Sequence, residues 1–140
     1  MNIEKFKDKL IAFDYDNEMV NATDMLKAFP EKRMNNFLRQ KQTIEYISIL
    51  ENHLKSDTQK SVSKDIQILK VIKGNSNNKI QGTWMHKLLA YKFAAWLNPE
   101  FELFVYRIFD KVIKEKMDWQ QRQLDYFWDR EDIKDLYGIK

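Results

Sequence analysis

The chain has 140 residues, with 24 lysines and arginines against 21 aspartates and glutamates, no cysteine and only three glycines. That length suits one domain burying roughly two-thirds of its unfolded surface, and 44% hydrophobic with 14% aromatic residues excludes a wholly disordered chain. The lack of cysteine excludes disulfides and thiolate chemistry, no apolar run reaches the ~20 residues that cross a bilayer, and the start MNIEKFKDKL is not a signal peptide, so a cytoplasmic location is expected.

Residues 10–20, LIAFDYDNEMV, predict two short strands around a turn at Asp14 to Glu18, with Asp16-Asn17 suited to positive φ. The D-x-D-x-E spacing invites a calcium reading, but Met19 and Met25 stand where an EF-hand loop needs glycine and glutamate. Asn21 then caps a helix reaching about Phe29, with Asp24 completing an approximate capping box. Pro30 stops that helix and can sit in the first turn of the next one, EKRMNNFLRQK. Two short helices joined at a proline are compatible with a helix-turn-helix, a pair that many helical domains also contain.

Thr43 is expected to cap a third helix, with Ile44, Ile47, Leu50 and Leu54 at helical spacing. Residues 55–65, KSDTQKSVSKD, read as a loop inside one domain. Residues 66–73 predict a strand, Gly74-Asn75-Ser76-Asn77-Asn78 a turn, and residues 79–85 the partner strand. Residues 86–97 predict a helix burying Leu89, Phe93 and Trp96. Asn98-Pro99-Glu100 opens another, with a cap, a proline at the first helical position and an acid in the positive first turn. That helix is expected to bury Phe101, Phe104, Val105, Ile108, Val112 and Ile113. Residues 118–140 form a charged, aromatic helical extension that packs back or docks on a partner.

The charge is unevenly spread. No acidic residue lies between Asp65 and Glu100, an interval holding Lys70, Lys73, Lys79, Lys87 and Lys92. Lys32, Arg33, Arg39 and Lys41 form a second cluster free of carboxylates. Positive charge without interleaved acids is a footprint for phosphate, although solvated lysine faces are also common. Catalysis finds little support. The two histidines, His53 and His86, stand in no metal-ligand spacing, and three glycines cannot build a P-loop or a dinucleotide fingerprint. His86 is read as supporting a helix start or a core hydrogen bond.

On residues 31–42, Met34, Phe37 and Leu38 supply a buried side, leaving Lys32, Arg33, Asn36, Arg39, Gln40 and Lys41 for DNA. A hairpin with Lys70, Lys73, Lys79 and Gln81 on its strands and Asn75, Asn77 and Asn78 at its tip can follow the phosphate backbone or enter the minor groove. The competing reading is an amphipathic helix plus a solvated hairpin.

Gly82-Thr83-Trp84-Met85-His86, followed by Leu89-Ala90, Ala94, Trp96-Leu97, Pro99 and Phe101, resembles the KilA-N family of phage, bacterial and large-DNA-virus proteins. Val20-Asn21-Ala22-Thr23 matches that family's V-N-A-T motif, and Asn36-Phe37-Leu38-Arg39 is similar to its short helix, with phenylalanine where tryptophan is usual. Residues 79–84 are also similar to the K-x-Q-G-T-W run of fungal APSES DNA-binding domains. The resemblance implies a compact α+β, winged-helix-like fold over residues 1–117, with a helix-turn-helix pair, a β-hairpin wing and two C-terminal amphipathic helices; the helical extension 118–140 has no counterpart in the family's core motif. It implies double-stranded DNA as partner, in transcriptional control or phage antirepression; from the residues themselves no enzyme activity, metal or small-molecule cofactor is expected. Carried over by position, residues 32–41 form the recognition helix and 73–81 the wing. Lys87 departs from the family, where proline is frequent after the histidine. The alternative role is a protein-interaction module that sequesters another regulator through the aromatic extension, with a protein partner or self-association through 118–140. RNA binding would need exposed aromatics on the hairpin tip, and 74–79 has none. Gly82 is expected to allow a close backbone approach at the root of the wing, above a buried Trp84.

Overall fold

The computed structural model of the protein describes residues 2–57, 67–74 and 80–129. Ten elements follow in chain order: β1 Asn2–Phe6, β2 Lys9–Asp14, β3 Met19–Asn21, α1 Ala22–Lys27, α2 Met34–Leu38, α3 Lys41–Asp57, β4 Leu69–Ile72, β5 Gly82–His86, α4 Lys87–Leu97 and α5 Pro99–Asp129. The strands form one antiparallel sheet in the order β1-β2-β3-β5-β4. The expected α+β class is therefore found, with the hairpin β4–β5 at one edge of the sheet and helices closing the C-terminal half. The chain divides into two compact units, residues 1–104 and 105–140, and α5 runs from the first into the second.

Strand β1 was not legible in the sequence. It pairs with β2 from Asn2 opposite Phe13 to Phe6 opposite Lys9, across a tight turn in which Lys7 takes a φ of 54°. Neither glycine nor asparagine marks that turn, so the usual hairpin signal is missing. Phe6 holds the strand in place. Its ring lies 4.9 Å from Phe101 and 5.0 Å from Phe104, both edge-on, and Phe29 lies 5.3 Å from Phe101.

The turn between β2 and β3 falls where expected but is built differently. Asp14 accepts hydrogen bonds from Asn17 N (3.3 Å) and Asn17 Nδ2 (2.8 Å), and Glu18, not Asp16 or Asn17, has positive φ. The Asp14 carboxylate thus organises its own turn. Ile11, Ala12 and Phe13 are all fully buried, so β2 is covered on both faces. On one side Ala12 packs with Met19 and Trp84, shielded by Ile72 and Ile80. β3 ends at Asn21, and the Asp24 carboxylate of α1 takes over its ladder role by accepting the N–H of Ala12 at 3.0 Å.

Helix α1 is capped as the sequence implies, with Asn21 Oδ1 accepting from Asp24 N at 3.1 Å, but it stops at Lys27. The recognition helix expected over 32–41 is shorter still. Pro30 lies in a turn closed by Lys32 N donating to Phe29 O (2.9 Å), and Arg33 is extended at the head of α2 without a side-chain cap. No capping residue is present to start the helix earlier. Thr43, expected as a cap, instead sits inside α3: Ile44 N donates to Gln40 O at 3.0 Å, so α3 begins from Gln40. Thr43 is buried, and its hydroxyl has no partner among the described residues. Ile44, expected on the buried face of this helix, is 57% exposed. The hairpin strands are also shorter than the expected 66–73 and 79–85: residues 80 and 81 stand outside the ladder, Ile80 packing on Trp84 and accepting its indole N–H while Gln81 O accepts from Asn21.

Both C-terminal caps behave as read. His86 Nδ1 accepts from Leu88 N (3.1 Å) to start α4, which buries Leu89, Ala90, Phe93, Ala94 and Leu97. Trp96, expected among them, is only half-buried. Asn98 Oδ1 accepts from Glu100 N (2.8 Å) and Phe101 N (3.1 Å) to start α5. Ile113, expected to be buried on α5, is 49% exposed.

Candidate nucleic-acid interface

The residues at the root of the hairpin interlock with the V-N-A-T segment sixty positions earlier. Asn21 is fully buried and pairs opposite Trp84 in the β3–β5 ladder. Its side chain works at both ends: Oδ1 caps α1, and Nδ2 donates to Gln81 O at 3.1 Å. Thr23 Oγ1 accepts from Thr83 N at 2.9 Å. Gly82 lies between these two contacts with a φ of 139°, and a Cβ there would stand 2.7 Å from Asn21 Oδ1. Trp84 is buried beneath, its indole N–H donating to Ile80 O at 2.9 Å. Gly82 is therefore demanded twice, by its backbone angle and by the approach of a buried amide. These motif residues form the framework that fixes the hairpin to the sheet.

The expected contact residues around α2 fall at its two ends. Arg33 precedes the helix, Asn36 stands within it, Arg39 and Gln40 follow, and Lys41 opens α3; all five side chains are exposed. Lys32 differs. It is half-buried, and its ammonium lies 4.7 Å from the centroid of the Trp96 ring, a cation–π contact. The helix is held from below by Phe37, 1% exposed, whose ring centroid is 4.8 Å from Phe93 and 5.6 Å from Trp96 of α4. Helix α4 in turn continues directly from β5. A short covalent and packed path thus joins α2 to the hairpin root.

On the hairpin, Lys70 is exposed opposite Trp84 in the ladder, and Lys73 and Gln81 are exposed beyond its paired residues. Asn75, Asn77, Asn78 and Lys79 lie outside the described residues. The other two lysines of the acid-free interval are engaged. Lys92 lies 5.2 Å from the centroid of the Tyr46 ring. Lys87 Nζ sits 2.7 Å from Glu18 Oε1, and its backbone N–H donates to Glu18 O at 2.8 Å. A proline at this position could not make that second bond. The departure from the family pattern at Lys87 is thus matched by the left-handed Glu18 that meets it. Sequence reading missed this pair, the Lys32–Trp96 contact and the Asn21–Gln81 bond, since each joins residues far apart in the chain.

Electrostatics at the start of α4 couple this junction to pH. Burial pushes the His86 imidazole below its ordinary value, against the pull of Glu18, whose Oε2 lies 3.7 Å from Nε2. The Glu18 carboxylate is itself lowered, chiefly by the Lys87 hydrogen bond. The folded state therefore holds His86 neutral, with Nδ1 free to accept the cap hydrogen bond. Unfolded chain takes up the proton first as pH falls through about 6.5, and stability contributed by the neutral imidazole is lost below that point. Urea midpoints should accordingly fall between pH 7 and pH 5. His86→Asn, which keeps a cap acceptor but cannot titrate, should flatten that fall, and an unchanged slope in the variant would exclude His86 as its source.

Among the described residues no group of histidine and carboxylate side chains is placed to hold a metal, and no helix is long and apolar enough to cross a membrane. No curated protein and no solved structure matches the chain. Residues 4–115, however, match the family model of the KilA-N domain, a span that runs from within β1 through β2 to β5 and α1 to α4 into the first half of α5. With the interlocked V-N-A-T and G-T-W segments in place across that span, this chain belongs to the KilA-N family of DNA-binding domains.

Proposed function

We propose that this protein is a cytoplasmic DNA-binding module, a transcriptional regulator or a phage antirepressor-type protein, that grips double-stranded DNA with the loop-helix-loop 32–41 and the β4–β5 hairpin. The observation that carries this reading is the exposed set Arg33, Asn36, Arg39, Gln40 and Lys41 in and around the short helix α2, which Phe37 pins. Guanidinium forks suit guanine edges or phosphate, and amides suit adenine. A helix of five residues spans only ~7.5 Å, so α2 presents its ends and not its length. Arg33 and Asn36 are assigned to base edges, and Arg39, Gln40 and Lys41 to the backbone. Lys70, Lys73 and Gln81 follow the phosphates of the flanking groove, and Asn75, Asn77, Asn78 and Lys79, outside the described residues, are assigned to the same contact. Lys32 contributes field from its seat on Trp96. In this reading residues 1–117 carry DNA binding and 118–140 extend it.

Fluorescence anisotropy on a random duplex at two salt concentrations tests the reading. With about five phosphate contacts, log affinity should fall with log salt at a slope of about −4 to −5. Arg33→Ala should cost roughly 1–3 kcal/mol and relax sequence preference, whereas Lys73→Ala should weaken every sequence alike. Salt-independent binding, or none, rejects it.

A further inference from the structure

The helix α5 carries an apolar row that the DNA reading leaves unused. Ile113, Met117, Leu124 and Phe127 are 49%, 62%, 52% and 40% exposed, and with Gln120 they recur at steps of four, three, four and three. A lone helix repeats every 3.6 residues, whereas this row keeps the 3.5-residue repeat of a seam between two helices. Large apolar side chains in such a row, left open to water, mark an interaction surface.

We infer that residues 105–129 pair with the same helix of a second copy of this chain, in antiparallel orientation. Two features select that occupant. The seam needs a partner helix with a matching repeat, and a second copy supplies it. The charge of the helix is also split along its length. Residues 105–116 hold four basic side chains, Arg107, Lys111, Lys114 and Lys116, against two acidic ones, Asp110 and Glu115. Residues 117–129 hold one, Arg122, against three, Asp118, Asp125 and Asp129. A parallel pair would set the positive half on the positive half and the negative on the negative. An antiparallel pair sets each half on its opposite.

Between Ile113 and Phe127, Gln120 is the one polar position in the row, and a single amide in an apolar seam specifies register at some cost in stability. With Met117 of one copy facing Gln120 of the other, Ile113 meets Leu124 and Asp110 comes opposite Phe127. The arrangement is two-fold and closes on itself, so it gives a dimer and not a filament. It does not depend on DNA binding.

Light scattering coupled to gel filtration, on the whole chain over two decades of concentration, should show the mass rising from one copy to two. Met117→Glu with Leu124→Glu should weaken this association at least ~100-fold and leave a monomer. A wild type that stays monomeric throughout, with the face left to some other chain, overturns the proposal, as does a double variant that still dimerises. Orientation has its own readout, which also serves if the double variant loses helicity. The chain has no cysteine, so Asp110→Cys and Phe127→Cys report cleanly. Mixed and oxidised, the two variants should crosslink to each other, and neither should crosslink alone. Crosslinking of each variant with itself would establish the parallel pair and refute the antiparallel one.

Discussion

Gly82→Ala should destabilise the protein by about 2–4 kcal/mol, and the same change should cost at least ~1 kcal/mol less where Asn21 is already alanine. Two costs add at this position. A non-glycine residue at a φ of 139° is strained by roughly 1–3 kcal/mol. The new methyl would also stand 2.7 Å from Asn21 Oδ1 and 2.9 Å from Nδ2, closer than any real contact, in a side chain that cannot swing away because both its ends are bonded. Asn21→Ala alone should cost about 1–3 kcal/mol, through the lost cap of α1 and the lost tie to Gln81 O. In the double variant the alanine methyl has room, and only the backbone strain remains. Urea unfolding of the four proteins should therefore give a coupling of at least ~1 kcal/mol. Additive losses would mean that Asn21 and Gly82 do not meet, and that the interlock between the two motif segments is wrong.

That interlock also explains which features were open to sequence reading. The turn at 14–18, the Asn21 cap, the Asn98-Pro99 helix start and the hairpin were legible because each is coded within a few neighbouring residues. The buried placement of Trp84 and the special need for Gly82 were legible in kind, but their partner was not. Asn21 reaches Gln81 across sixty positions, and nothing local to either announces the other. Strand β1 escaped for a different reason. Its residues Asn2 to Lys5 are largely exposed and polar, and only Phe6, pulled into the ring cluster with Phe101 and Phe104, ties it down. A strand recruited by tertiary packing leaves little periodic signal. The overlong recognition helix arose likewise. Residues 31–57 contain neither glycine nor further proline, so helical periodicity continues unbroken, yet the chain interrupts at Arg39 and Gln40 to seat Phe37 on α4. Of the described candidate contact residues, Arg33, Asn36, Arg39, Gln40, Lys41, Lys70, Lys73 and Gln81 are exposed. The exception is Lys32, whose position on Trp96 joins residues 64 apart in the chain.

Phe37→Ala should be the most damaging single change to the proposed interface, although Phe37 touches no DNA. Removing a ring that is 1% exposed costs about 3–5 kcal/mol in comparable cores. The effect should be local as well as global. Five residues are too few for a helix to persist by its own hydrogen bonds, so α2 depends on the contact of Phe37 with Phe93 and Trp96. Without it, Arg33, Asn36 and Arg39 lose their fixed spacing even where the rest of the domain stays folded. Arg39→Ala is the natural contrast. It removes an exposed charge that supports no packing, and should leave stability within ~0.5 kcal/mol while weakening DNA binding and lowering the salt slope by about one. The two variants separate position from contact when urea melts are set beside anisotropy titrations at a temperature where both retain native circular dichroism. Phe37→Ala should then lose affinity beyond its unfolded fraction. A loss of under ~1 kcal/mol in stability would show that α2 is held by something other than this ring stack, and an unchanged affinity would detach α2 from the DNA surface altogether.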